Sequence, residues 1–298
     1  MRIRYGIPVF AVVVALALSG CVDNSTPSGP SASGGTISTV TKDAAAAALL
    51  PGKIAKAGKI VVGMDPTYAP NEYKDASGEP IGWEVELMNA VAGKLGVKSV
   101  YAVAKFDSII PSVTGGKYDV GVSSFTDNIA REKVVDFVNY YTAGIQWASA
   151  AGKTVDPDNA CGLKVAVQAT TYQDTDEVPA KSKACTDAGK PAIQAVKFDT
   201  QDQATNAVAL GQANAMSADS PVALYAIAQL KGKLQLAGKS FEVAPYGFAV
   251  NKGDKLGKAL QAALQSIVDD GTYKKILDKW GVADGGIDKI TINAAANG

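Results

Sequence analysis

From Lys59 onward, apolar positions fall into two rhythms that alternate along the chain. Lys59–Met64 is a β-branched run ending in Asp65-Pro66, which predicts a strand feeding a loop. Trp83, Leu87, Met88, Val91 and Leu95 then recur at helical spacing, with Gly96 as the stop. Residues 99–103 read as a strand, 108–113 as a helix capped by Asp107 and closed by Gly115-Gly116, and 119–123 as a third strand. A polar loop, 124–128, follows. This β-α-β-α-β order predicts an α/β fold with helices covering a shared sheet.

A second set of elements repeats the rhythm. Residues 163–168 predict a strand, 201–210 a helix ended by Gly211, and 213–218 a short strand of small residues. Asp219-Ser220-Pro221 then starts a helix reaching Leu230, with Ser220 as its cap and proline in the tolerated first turn. The strand-like stretch 241–250 can carry the chain back to the first set. Leu256, Leu260, Leu264, Ile267 and Val268 share one helical face, and Tyr273, Ile276, Leu277 and Trp280 another after Gly271. Two α/β lobes result, with more than one crossing between them.

The N-terminus follows neither rhythm. Arg2 and Arg4 precede an uncharged apolar run, 7–18, too short for a confident membrane span but suited to an export signal. The segment ends Leu18-Ser19-Gly20-Cys21, which resembles the lipobox of bacterial lipoproteins, so Cys21 is expected to carry a lipid at the cell membrane's outer face. Between Val22 and Thr36, 11 of 15 residues are Ser, Gly, Pro or Thr, too polar to offset their ordering entropy. Residues 22–52 are therefore expected to be a flexible linker, with 44–50 readable as either a short helix or its continuation. Cys161 and Cys185, an even pair in an exported chain, are expected to form a disulfide.

Composition narrows the chemistry. The 298 residues hold 29 basic and 29 acidic side chains, a balance that argues against nucleic acid as a partner. No histidine is present, which removes every Ser-His-Asp and Cys-His system and most catalytic zinc sites. No metal or other cofactor is expected. At 47% hydrophobic and 19% charged, the chain has enough apolar material to build cores, and its composition leans toward binding.

Several separated motifs carry a resemblance. They are Gly63-Met64-Asp65-Pro66-Thr67-Tyr68-Ala69-Pro70, Phe106-Asp107-Ser108-Ile109-Ile110-Pro111, Ser123-Ser124-Phe125-Thr126 with Arg131 behind it, Asp219-Ser220-Pro221, and Pro245-Tyr246-Gly247. In this order and spacing they resemble family 3 of the bacterial extracellular solute-binding proteins, the polar amino-acid receptors of ABC importers. The resemblance implies a two-lobed periplasmic-binding-protein fold of type II, with two hinge strands near 144–149 and 242–246 and a ligand clamped between the lobes. Lobe 1 would comprise 53–145 and 244–298, and lobe 2 would comprise 146–243.

A free amino acid needs three kinds of partner. For its carboxylate, Arg131 offers a planar, charge-assisted pair, and by resemblance Ser124, Thr126 and Thr171 add hydrogen bonds there, with Ser123 and Thr170 as neighbouring binding candidates. Asp219 matches the ammonium partner, though its position also suits a helix cap. Tyr68 and Phe106 match the aromatic walls around the side chain, and Asp65 a group reaching its distal end. Asn71 and Tyr172 depart from the family pattern near the expected pocket. Because Arg131 is the lone cation in these motifs, the expected ligand is a polar L-amino acid, basic ahead of neutral such as glutamine, with acidic last. The partners implied are that amino acid, an ABC permease and the membrane, with the receptor a monomer. Two other readings remain open: an exported dehydratase of the same fold, using Asp65 or Glu72, and a ligand sensor.

Overall fold

A computed structural model describes residues 40–295. The export signal, Cys21 and most of the expected linker lie outside them. The linker reading needs correction at its end, because the chain is already folded at Asp43. The Asp43 carboxylate caps the helix Ala44–Ala48 by accepting the Ala45 and Ala46 N–H groups at 2.9 and 3.1 Å, and Ala46 is buried. The Asp43 N–H donates to the Lys94 carbonyl at 2.8 Å, tying this turn to the next helix. A second short helix, Gly52–Ala57, ends at Gly58 and leads into the first strand.

One nine-stranded sheet runs through the molecule. Its first side is parallel: Lys98–Val103 beside Lys59–Met64 beside Val120–Gly121. Its far side holds Ala215–Asp219, Lys164–Gln168 and Gln194–Phe198, again mutually parallel. Two long strands join the sides, Val135–Ala150 and Leu234–Asn251, which pair antiparallel from Val135↔Asn251 to Ala150↔Leu234. Their register slips between Ala237 and Phe241, between Phe241 and Ala244, and between Tyr246 and Gly247, within and around the second expected hinge. Glu242 there takes a φ of +48°. The first expected hinge is more regular, since Ile145–Ser149 pairs without a break against Ala215–Asp219.

Helices cover both sides. Trp83–Leu95 forms as its apolar spacing predicts and ends at Gly96 with φ +71°. The helix Phe106–Thr114 starts earlier than expected: Lys105 is its N-cap, and Asp107 sits in the first turn without a capping bond. Each lobe has its own apolar cluster. Ile109, Val113, Phe125, Val135 and Phe137 pack in the first, and Trp147, Val165, Val167, Val178 and Ile193 in the second. Each such side chain stabilises the fold by about 1.5–3 kcal/mol on burial. Cys161 and Cys185 are disulfide-bonded in the second lobe, with Cα atoms 5.5 Å apart. Among the described residues, no helix is long and apolar enough to cross a membrane.

Candidate functional site

The sheet topology gathers the polar residues. In open α/β sheets a ligand crevice forms beyond the carboxyl ends of parallel strands, where loops diverge and backbone groups are unpaired. Asp65 follows Lys59–Met64, Phe106 lies just beyond Lys98–Val103, and Ser123 just beyond Val120–Gly121. From the other lobe, Gln168 and Asp219 are the last residues of their strands. All five line one cavity between the strand ends.

Asp65 ties the two sides together. Its Oδ1 accepts from Thr67 Oγ1 at 3.0 Å, and its Oδ2 accepts from the Phe106 N–H at 3.1 Å and from Gln168 Nε2 at 3.0 Å. Burial nonetheless pushes its carboxyl above the ordinary range. Asp219 is the N-cap residue of the helix Ser220–Gln229 by position, but its side chain makes no capping bond, and Ser220 is already helical. Its oxygens instead accept from Gln173 Nε2 and from Tyr246 Oη, each at 2.7 Å. Burial raises this carboxyl as well, against the pull of those donors. The Asp219 N–H donates to Tyr68 Oη at 3.1 Å, so the Tyr68 ring, from the first lobe, packs among Ala204, Ala207 and Met216 of the second.

Arg131 sits in the short helix Ile129–Glu132, whose N-cap Asn128 accepts the Arg131 N–H at 2.8 Å. Its Nη1 donates to the Thr126 carbonyl at 2.9 Å and its Nη2 to the Thr170 carbonyl at 3.0 Å, one acceptor from each lobe. The guanidinium lies 5.7 Å from the Phe106 ring and 5.9 Å from that of Phe125. Thr170 reaches it through a left-handed backbone, φ +63°, that a β-branched residue rarely adopts. Such strain persists only where the surroundings over-determine it.

Nine of the ten expected site residues line the cavity, and Thr170, exposed and outside the lining, offers its carbonyl to Arg131. Two details differ from expectation. Ser124 reaches the wall, but its N–H and hydroxyl both turn to Glu84, at 3.1 and 2.8 Å. Asn71 is fully buried and turned away, bonding Trp83 and Ser124 rather than the cavity. Glu72 is 0% exposed and also lines the cavity. Gln168 and Gln173 were missed. Glutamine at a strand end carries no chemical signal by itself, and Gln173 is placed by an unforeseen π-helical turn, Gln173–Glu177. Tyr172 joins the lining beside it.

The chain matches the model of the bacterial extracellular solute-binding proteins, family 3, over residues 60–283. It is 40% identical over 248 residues to the arginine-binding protein ArgT of Corynebacterium glutamicum, covering 83% of this chain and 82% of that protein. A solved structure of an ancestral arginine-binding protein bound to arginine is similar with a TM-score of 0.69 at 33% identity, over 75% of this chain and 98% of that one. An ancestral arginine-binding protein bound to glutamine gives a TM-score of 0.68 at 33% identity, over 76% and 98%.

Proposed function

Since the chain belongs to family 3 of the bacterial extracellular solute-binding proteins, we propose that it is an extracytoplasmic receptor that clamps L-arginine between its lobes and presents it to an ABC permease. The lipid anchor at Cys21, the monomeric state and the lobe boundaries at 145/146 and 243/244 belong to this reading. It acts by binding and release, without chemistry on its ligand.

The charge pattern of the cavity carries the proposal. Among the described residues, Arg131 is the one basic side chain in its lining, against Asp65, Glu72 and Asp219. One guanidinium suits one α-carboxylate, as a planar charge-assisted pair. Asp219 then serves the α-ammonium, leaving Asp65 and the rings of Tyr68 and Phe106 for a cationic side chain. A second ligand carboxylate would be buried against aspartates with no cation to match it, at a cost of several kcal/mol. The similarity to ArgT supports arginine in particular.

A thermal-shift screen of the purified protein against all proteinogenic amino acids tests this. At about 1,000 times its Kd, a true ligand adds roughly 4 kcal/mol of apparent stability through mass action. Arginine should raise Tm most, lysine and glutamine less, and glutamate not at all. A largest shift with glutamate, or none with any amino acid, overturns the reading.

A further inference from the structure

Beneath the cavity lie two carboxyl groups with no cation to match them. Glu72, in the strand Glu72–Lys74, and Glu84, in the first turn of Trp83–Leu95, are both 0% exposed. Among the described residues, neither forms an ion pair. Both meet the Ser124 hydroxyl, Glu84 Oε1 at 2.8 Å and Glu72 Oε2 at 3.2 Å.

Counting donors around that hydroxyl locates a proton. Trp83 Nε1 can only donate, and it lies 2.7 Å from Asn71 Oδ1, so the amide turns its Nδ2 to Ser124 Oγ at 2.8 Å. The hydroxyl thus accepts from Asn71 and has one proton of its own to give. Glu84 receives the Tyr140 phenol at 2.5 Å, Ser124 Oγ, and the Ser124 N–H at 3.1 Å, the surroundings of an ionised carboxylate. Glu72 Oε1 accepts from Ser123 Oγ at 3.1 Å, which in turn accepts the Asp65 N–H at 3.1 Å. Glu72 Oε2 then faces a serine oxygen whose proton is already given to Glu84. That contact is a hydrogen bond only if Glu72 supplies the proton.

The left-handed Ser124 backbone, φ +50°, aims both its donors at this cluster. Burial raises both carboxyls, Glu84 against the pull of its donors, and the Glu84 charge lifts Glu72 further, well above the ordinary carboxylate range. The other groups facing it are Tyr140 from the long strand and Tyr68 from the neighbouring strand, both pushed up by burial and so uncharged. Asp65, Arg131 and Asp219 share the cavity itself.

A bound guanidinium presents five N–H donors, while both Asp65 oxygens already accept bonds from the protein. We propose that Glu72 is a specificity-determining residue: a cationic ligand side chain displaces its proton, whereas a neutral amide such as glutamine leaves it in place. The O–H bond of Glu72 breaks, the proton passes to solvent, and the carboxylate accepts from the guanidinium instead. One positive charge enters and one leaves, so the buried site keeps its net charge. This rests on the amino-acid receptor reading above.

The bound state then holds fewer protons than the free one. Arginine affinity must rise with pH, by at most about tenfold per unit, between the bound and free pKa values of Glu72. Glutamine affinity should stay flat. Calorimetric titrations at one pH in buffers of different ionisation enthalpy count the protons released. Arginine should release a fraction of one proton, approaching about one, and glutamine none. Glu72→Gln keeps a neutral group that can accept from Ser123 and donate to Ser124, so the fold is retained. The variant should bind arginine without releasing protons, lose the pH dependence, and discriminate less between arginine and glutamine. A buffer-independent arginine enthalpy in the native protein overturns the proposal and leaves the receptor reading intact. So does unchanged proton release in Glu72→Gln, which would assign it to Asp65 or Asp219. No heat with any basic amino acid overturns both.

Discussion

Arg131→Ala removes the group to which the proposed reading assigns the ligand's orientation. In the structure the guanidinium spans the lobes through the Thr126 and Thr170 carbonyls, at 2.9 and 3.0 Å, over two phenyl rings. Thr170 is exposed, so water can replace the guanidinium there once it is gone. The cost to the unliganded fold should therefore be small, about 1–2 kcal/mol, or roughly 2–8 °C in Tm for a chain of this size. The bound ligand offers no such substitute. Its carboxylate would stay buried beside the Asp219 carboxylate, and truncating one partner of a buried charge pair costs about 2–5 kcal/mol. Arginine affinity should fall roughly 30-fold to several-thousand-fold. Arg131→Lys keeps the charge but not the planar fork, and should lie between the two. Calorimetry and thermal melts on the three proteins give both numbers. Near-native arginine affinity in Arg131→Ala would refute the orientation assigned to the ligand, whatever the variant's Tm.

Three further outcomes can be checked. Cys21→Ala should release the protein from the membrane fraction or leave it as uncleaved precursor, read by fractionation and blotting, whereas a processed, membrane-bound variant would exclude the tether. The Cys161–Cys185 bond closes a loop with a sequence separation of 24, so Cys161→Ser with Cys185→Ser should cost about 3.5 kcal/mol in the chain-entropy model, roughly 7–14 °C in Tm. An unchanged melt would argue against that contribution. Glu177 is buried beside Trp147 and Ser217, and burial pushes its carboxyl from 4.5 to about 7. Between those values the folded state holds the extra proton, so stability falls as pH rises, by roughly 3 kcal/mol in all. Glu177→Gln should then be more stable than the native protein in urea at pH 8 but not at pH 4, and an equal difference at both would refute the linkage.

Amphipathic helices and polar strand ends were legible in the sequence because each is set by neighbours along the chain. Trp83–Leu95 starts and stops where its apolar spacing and Gly96 require. Asp65, Phe106, Ser123 and Asp219 could be singled out because they sit in motifs that resemble the family's, and each stands at or just beyond the end of a strand. The long strand Val135–Ala150 was legible only as a hinge segment, since it is buried on both faces and shows no alternation. The edge strand Gln194–Phe198 and the helix Val178–Asp187 lack an apolar stripe strong enough to announce them.

The sequence alone therefore determined which side chains stand at the ends of the strands, and with them the charge types available to a ligand. Only the tertiary structure decided which of those groups meet. It turned Asn71 inward to Trp83, drew Ser124 onto Glu84, and brought Glu72, from a separate strand, beneath the cavity. These pairings join residues far apart in sequence, and their energies depend on burial. A carboxylate in a polar stretch of chain reads as a solvated surface charge. Folding removes the water around Glu72 and Glu84 without supplying a cation, and the pair must then share a proton.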